Sequence, residues 1–192
     1  LWAIHKKQSL EVADRFEEAE LSQYSSRMRE CAVWLSFALE AKNVDEFIFR
    51  LKNARFCRVR LCPVCQWRRQ LMWYARMCKA IPLIYQDYPS YRYLFLTLTV
   101  KNCEIEELRQ TLQSMNKAWK LLTKRKKWPA VGFIKSVEVT RGVDNTAHPH
   151  FHVILLVPPS YFSHGYIKHD QWVELWQSCL KVDYEPIANI KV

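Results

Sequence analysis

The run His148-Pro149-His150-Phe151-His152, continued by the apolar stretch Val153 to Val157, constrains this chain more than any other feature. The segment reads as a strand, where side chains alternate between faces. The two histidines flanking Phe151 then share one face, about 7 Å apart along the strand, and can converge on one metal ion. Two neighbouring segments also read as strands. Tyr93-Leu94-Phe95-Leu96-Thr97-Leu98-Thr99-Val100 is apolar enough to be buried, and Ile134 to Thr140 carries a single carboxylate, Glu138.

The periodicity around these strands organises the chain. Residues 1 to about 90 read as helical and carry most of the cysteines, with Pro82, Pro89 and Ser90 near a boundary where helices tend to stop. From about residue 91 strand and helix alternate. The first strand, Tyr91 to Val100, precedes a helix whose apolar positions Ile105, Leu108, Leu112, Met115, Trp119 and Leu122 step by three and four residues. The basic group Lys124-Arg125-Lys126-Lys127, then Pro129, end it. Strands follow at Gly132 to Thr140 and His150 to Val157, separated by a turn-like Gly142-Val143-Asp144-Asn145. His169 to Leu180 reads as a helix with Trp172, Leu175, Trp176 and Leu180 inward, and Val182 to Val192 as a last strand. The order strand, helix, strand, strand, helix, strand predicts an α+β domain, an antiparallel sheet with helices on one face.

Two imidazoles hold a metal poorly, so a third ligand is expected. If the second and third strands form a hairpin, directly opposite residues share a face, and either permitted register sets Glu138 beside His150 or His152. His148 is the rival, but it lies about 13 Å from His152 along a straight strand. Glu138, His150 and His152 are therefore the expected set. Such ligands with open positions suit Mn²⁺ or Mg²⁺.

Composition narrows the partners. A formal net charge of +10 and a pI near 9.3 favour a polyanion, nucleic acid or an anionic surface. The only glycines are Gly132, Gly142 and Gly165, too few and too scattered for a phosphate loop or dinucleotide fingerprint. Seven cysteines without a secretory leader point to reduced thiols and metal ligation. No stretch is apolar enough to span a bilayer, and a cytoplasmic location is the default expectation. The first residue is Leu1, from which an excised piece of a longer protein is expected.

Cys57-x4-Cys62-x2-Cys65 brings three thiols into nine residues, and a closed structural zinc site needs four ligands. Cys78, Cys103 and Cys179 lie in or beside apolar segments and read as small core residues. Beyond the knuckle a helix is expected from about Gln66 to Ala80. Arg68, Arg69, Arg76 and Lys79 fall within roughly one 100° arc of it, with Leu71, Trp73, Met77 and Ala80 free to pack inward. With Arg58 and Arg60 beside the thiols, this basic face suits phosphate contacts.

Phe95-Leu96-Thr97-Leu98-Thr99, the histidine run, Cys62-Pro63-Val64-Cys65-Gln66-Trp67-Arg68-Arg69, Trp172-Val173-Glu174-Leu175-Trp176 and Val182-Asp183-Tyr184-Glu185-Pro186 together resemble the plasmid rolling-circle replication initiators of the HUH endonuclease superfamily. The resemblance runs from about Arg27 to Val192. It implies a ferredoxin-like βαββαβ domain at 91–192 with the histidine strand central, preceded by a zinc module at 1–90. It also implies that Cys31, in Arg27-Met28-Arg29-Glu30-Cys31, is the fourth zinc ligand, and that Thr97 and Thr99 lie beneath the metal site. The implied activity is recognition of origin DNA, single-stranded or a hairpin at the nick site, and metal-assisted nicking of one strand by a tyrosine, with a host helicase and polymerase as further partners. In that family the tyrosine lies in a short Lys-Tyr motif on a helix after the last strand; no such motif occurs here, so the nucleophile is expected beyond Val192. A zinc-bearing DNA-binding module without catalysis, or a related HUH transposase or relaxase, are the alternatives.

Overall fold

The computed structural model describes residues 1–43, 45–142 and 144–192. Val143, part of the expected turn, lies outside the described residues. The chain forms two compact units, Leu1–Ile84 and Tyr85–Val192. Among the described residues no helix is long and apolar enough to cross a membrane.

The first unit contains α1 (Trp2–Glu18), α2 (Ser22–Arg29), β1 (Leu35–Ala41), β2 (Phe47–Ala54) and the start of α3 (Pro63–Asp87). Its core is small: Ala13, Met28, Cys31, Cys57, Val59, Cys62 and Val64, with Trp2, Val12, Phe16 and Phe56 packed around them. The expectation of a wholly helical stretch is corrected by the hairpin β1–β2. Its register pairs Phe37 with Leu51, Leu39 with Phe49 and Ala41 with Phe47. That face is apolar yet exposed, Phe49 by 76%, while Arg50 and Lys52 bridge to Glu40 on the opposite face.

Helix α3 also departs from expectation. It starts at Pro63, a residue whose fixed φ and missing N–H suit a first helical position, and it runs through Pro82 to Asp87. Pro82 costs the helix only the bond to the Cys78 carbonyl; Cys78 is exposed rather than a core residue, so water can satisfy that carbonyl. Leu71 and Trp73, expected inward, are exposed.

The second unit is a four-stranded antiparallel sheet of β3 (Arg92–Thr99), β4 (Gly132–Arg141), β5 (Ala147–Val157) and β6 (Ala188–Lys191), in spatial order β4-β5-β3-β6. Leu94, Leu96 and Leu98 of β3 and Phe151, Val153, Leu155 and Val157 of β5 point to one face. There they form a core with Met115, Ala118, Trp119 and Leu122 of α4 (Leu108–Leu122) and Trp172 and Trp176 of α6 (His169–Leu180). The Trp176 indole donates to the Thr99 carbonyl at 2.7 Å, pinning the end of β3 to the helix layer. A short α5 (Ser160–Ser163) intervenes before α6.

Three boundaries differ from the sequence reading. Ile105 precedes α4 and is exposed. β5 begins at Ala147, so it includes His148 and Pro149. Pro149 lies just past the Thr99–His150 pair that ends the β3 ladder, where a missing N–H breaks no bond to β3. The last strand covers Ala188–Lys191 alone, paired with Phe95 to Leu98; Thr99 still donates to the Ile187 carbonyl, and Pro186 before it has no N–H to give.

Candidate functional site

The face of the sheet away from the helices carries three rows of side chains set by strand register. Glu138, His150 and Thr99 form one row; Ser136, His152, Thr97 and Asn189 the next; Ile134, Ile154, Phe95 and Lys191 the third. Glu138 pairs directly with His150, and its Oε2 lies 3.1 Å from His150 Nε2 and 2.9 Å from His152 Nε2. One donor atom from each residue lies within 4.8 Å of the others. Ligands in adjacent octahedral positions about 2.1 Å from a small divalent ion stand about 3.0 Å apart, which is the spacing found. His150 is nearly buried and Glu138 half exposed, so the pocket has a protected floor and an open mouth.

The outer ring nitrogens decide what the inner ones can do. His150 Nδ1 lies 3.3 Å from the His148 carbonyl, an obligate acceptor, so Nδ1 carries the proton. A neutral His150 then turns a bare Nε2 lone pair toward the carboxylate oxygen. Two acceptors facing each other are resolved by a cation between them or by protonation of the ring. His152 Nδ1 lies 3.3 Å from Thr97 Oγ1, a hydroxyl that can give or take the hydrogen bond, so it orients the second ring without setting which nitrogen carries the proton. In the alternative without a cation, rings that donate from Nε2 hold the Glu138 carboxyl below the ordinary carboxylate range, His150 contributing most. His148 is not part of the set: its Nδ1 is 2.6 Å from Asn102 Oδ1. Its backbone carbonyl, not its ring, serves the site.

A second donor cluster lies in the first unit. Cys31, Cys57, Cys62 and Cys65 bring their sulfurs within 4.8 Å of one another. Cys65 Sγ is 3.6 Å from both Cys31 Sγ and Cys57 Sγ. Thiolates bound to one zinc at about 2.3 Å stand about 3.8 Å apart, so the donor set fits a tetrahedral ion. Hydrogen bonding from Cys31 draws the Cys62 thiol down to about 4, whereas burial pushes the Cys57 thiol up to about 12. Without a cation the four sulfurs therefore favour a single thiolate, at Cys62, with the Cys31 and Cys57 thiols pushed up beside it.

Sequence reasoning missed the groups that frame this cluster. Ser9 of α1 sets its hydroxyl 3.3 Å from Cys62 Sγ and accepts from the Val64 N–H at 3.2 Å. Lys6 donates to the Cys31 carbonyl at 2.7 Å, and Arg27 to that of Cys57 at 2.6 Å. No local pattern marks them, since each acts across at least 25 residues of chain.

Arg58, Arg60, Arg68 and Arg69 line one pocket of about 270 Å³ with Phe56, Val59, Cys65 and Gln66. Arg58 has φ 56°, a left-handed backbone for a residue that is not glycine. Arg76 and Lys79 lie farther along α3, and the Arg76 guanidinium sits 5.0 Å from the Trp73 ring centre. From Pro63 to Gln86 the helix has no carboxylate, and among the described residues none of these six cations forms a salt bridge. Of the tyrosines after the histidine strand, Tyr161 is buried and donates to the Ile167 carbonyl. Tyr184 accepts from the Lys101 N–H, outside any strand, and Tyr166 is exposed.

Comparison with known proteins adds a family to this geometry. A family model described as "Replication protein" matches residues 48–192. "Protein rep" of Lentilactobacillus hilgardii is 35% identical over 195 residues, covering 99% of this chain and 60% of the relative. "Protein rep" of Streptococcus pneumoniae serotype 2 (strain D39 / NCTC 7466) is 35% identical over 197 residues, with the same shares. That of Bacillus amyloliquefaciens is 34% identical over 200 residues, covering 99% and 58%. The chain thus spans about 60% of the length of the first two relatives. No solved structure matches it.

Proposed function

Because the chain belongs to the plasmid replication initiator (Rep) family, we propose that it is the part of such an initiator that engages origin DNA and assembles the metal site for nicking one strand. The observation that carries this is the convergence of three donors, with the His150 Nε2 lone pair facing the Glu138 carboxylate and His152 Nε2 2.9 Å from the same oxygen, an arrangement that a divalent ion between them resolves. The strand order β4-β5-β3-β6, with the histidine strand second and helices on the opposite face, suits the βαββαβ arrangement of HUH endonucleases.

In this reading Glu138, His150 and His152 would hold Mn²⁺ or Mg²⁺, which when bound would supply Lewis-acid polarisation of the scissile phosphodiester and charge stabilisation of the departing 3′ oxygen. The chain's own residues supply the rest. The His148 carbonyl holds His150 in its ligating tautomer, and the Thr97 hydroxyl orients the His152 ring. Glu138 adds the negative charge that keeps a divalent ion in an open pocket. The reaction is a transesterification: a tyrosine oxygen bonds to phosphorus, the P–O3′ bond breaks, and the 3′ oxygen leaves as a hydroxyl able to prime synthesis. Tyr161 and Tyr184 are committed to other contacts, so neither is assigned that role.

Cys31, Cys57, Cys62 and Cys65 are assigned as ligands of a structural Zn²⁺, on the sulfur spacing. Arg58, Arg60, Arg68, Arg69, Arg76 and Lys79 are assigned to DNA, on their clustering without partner carboxylates. Host helicase and polymerase are the expected downstream partners in the cytoplasm.

The test is nicking of a supercoiled plasmid carrying the cognate origin by the full-length initiator with Mn²⁺ present. Conversion to open circles is expected for the parent and not for His150→Ala, with origin binding retained. A His150→Ala protein that nicks at the parental rate would overturn the assignment.

A further inference from the structure

The open face of the sheet continues past the metal-facing rows into an apolar one. Phe95, at the centre of the third row, is 42% exposed although it lies on an inner strand. Its ring stacks on His152, with centroids 5.4 Å apart and planes 21° from parallel. Ile134 and Ile154 flank it on one side and the cation Lys191 on the other. Between this row and the Glu138–His150 row lie only the polar groups of Ser136, His152, Thr97 and Asn189. From metal pocket outward the face thus reads charged, polar, aromatic and apolar, then basic at the edge.

Row by row, that order matches the parts of a nucleotide laid along the strands, phosphate, then sugar, then base, with Lys191 beside the base position in the same third row. One row to the next is about 7 Å, comparable to one step of an extended single strand. A duplex keeps its base faces stacked inside, so an exposed ring at this depth can be used only by an unpaired base.

We propose that Phe95, with Ile134 and Ile154, forms a stacking subsite for one unpaired nucleobase, next to the phosphate held at Glu138, His150 and His152. The proposal rests on the nuclease reading above and adds to it one subsite, in which a base is held by its face. Phe95 is then a positioning residue for the strand as well as a brace for the His152 ring.

Short single-stranded oligonucleotides from the origin, each with 2-aminopurine at a different position, test this with the chain and Mg²⁺. One position should show stacking-quenched fluorescence in the parent and in Phe95→Tyr, and lose it in Phe95→Leu, which keeps an apolar side chain. Phe95→Leu should bind the unlabelled strand about 5- to 100-fold more weakly, and an abasic site at that position should erase the difference. Calorimetric Mg²⁺ titration without DNA is run on the same proteins. Equal quenching in parent and Phe95→Leu would overturn the stacking subsite while an intact Mg²⁺ isotherm left the metal reading standing. Weaker Mg²⁺ binding with unchanged quenching would likewise overturn it, by reducing Phe95 to a brace for His152. A parent that shows the quenching but binds no Mg²⁺ would support the subsite and strike the metal reading alone.

Discussion

Thr97 and His148 show how a hydroxyl and an imidazole can exchange their expected importance. Both were visible beside the histidine pair, yet the ring of His148 turns to Asn102 while the Thr97 hydroxyl holds His152 by its outer nitrogen. Groups that orient a ligating histidine typically carry about 10- to 100-fold in metal affinity. Thr97→Val, which keeps the β-branched shape, should weaken Mn²⁺ binding by that order, whereas His148→Ala should bind within a few-fold of the parent because its carbonyl remains. Calorimetric titration of both variants decides the matter, and the reverse ranking would make His148 the ligand. Glu138 was legible beforehand because hairpin register leaves a carboxylate few places to go. Cys31 was not legible from spacing: its separation from Cys57 follows no local rule, and the intervening chain folds into β1 and β2.

At the scale of elements, α6 and β3 could be read almost to the residue because their apolar positions are buried with the matching period. The hairpin could not, because Phe37, Leu39, Phe47 and Phe49 leave their face exposed and so carry no burial signature. Pro82 misled because its one lost bond leaves the carbonyl of an exposed residue, Cys78, open to water. The first unit has few buried apolar side chains to hold α1, α2 and the start of α3 together. Its order should therefore depend on the bridging metal. A strong chelator, or Cys62→Ser, should release about one zinc per chain and melt α1 and α2. Elemental analysis with circular dichroism reads both. Ellipticity unchanged after zinc removal would show that the small core suffices alone.

The whole molecule places two donor sets of unlike chemistry in two separate compact units: four sulfurs in Leu1–Ile84, two nitrogens and an oxygen in Tyr85–Val192. Each unit has its own core, so loss of one site need not unfold the other. Peroxide converts thiolates to sulfenic acids and on to disulfides, being reduced to water, and leaves imidazole and carboxylate ligands intact under mild conditions. Cys103 and Cys179, the thiols of the second unit, are buried. Brief peroxide treatment should eject zinc, scored by a chromophoric chelator, while Mn²⁺ affinity stays at the untreated value; parallel loss of both would contradict the separation. The polypeptide would then carry a reversible oxidative injury confined to its first unit, repaired by reductant and zinc, while the histidine and carboxylate face of the second never registers the oxidant.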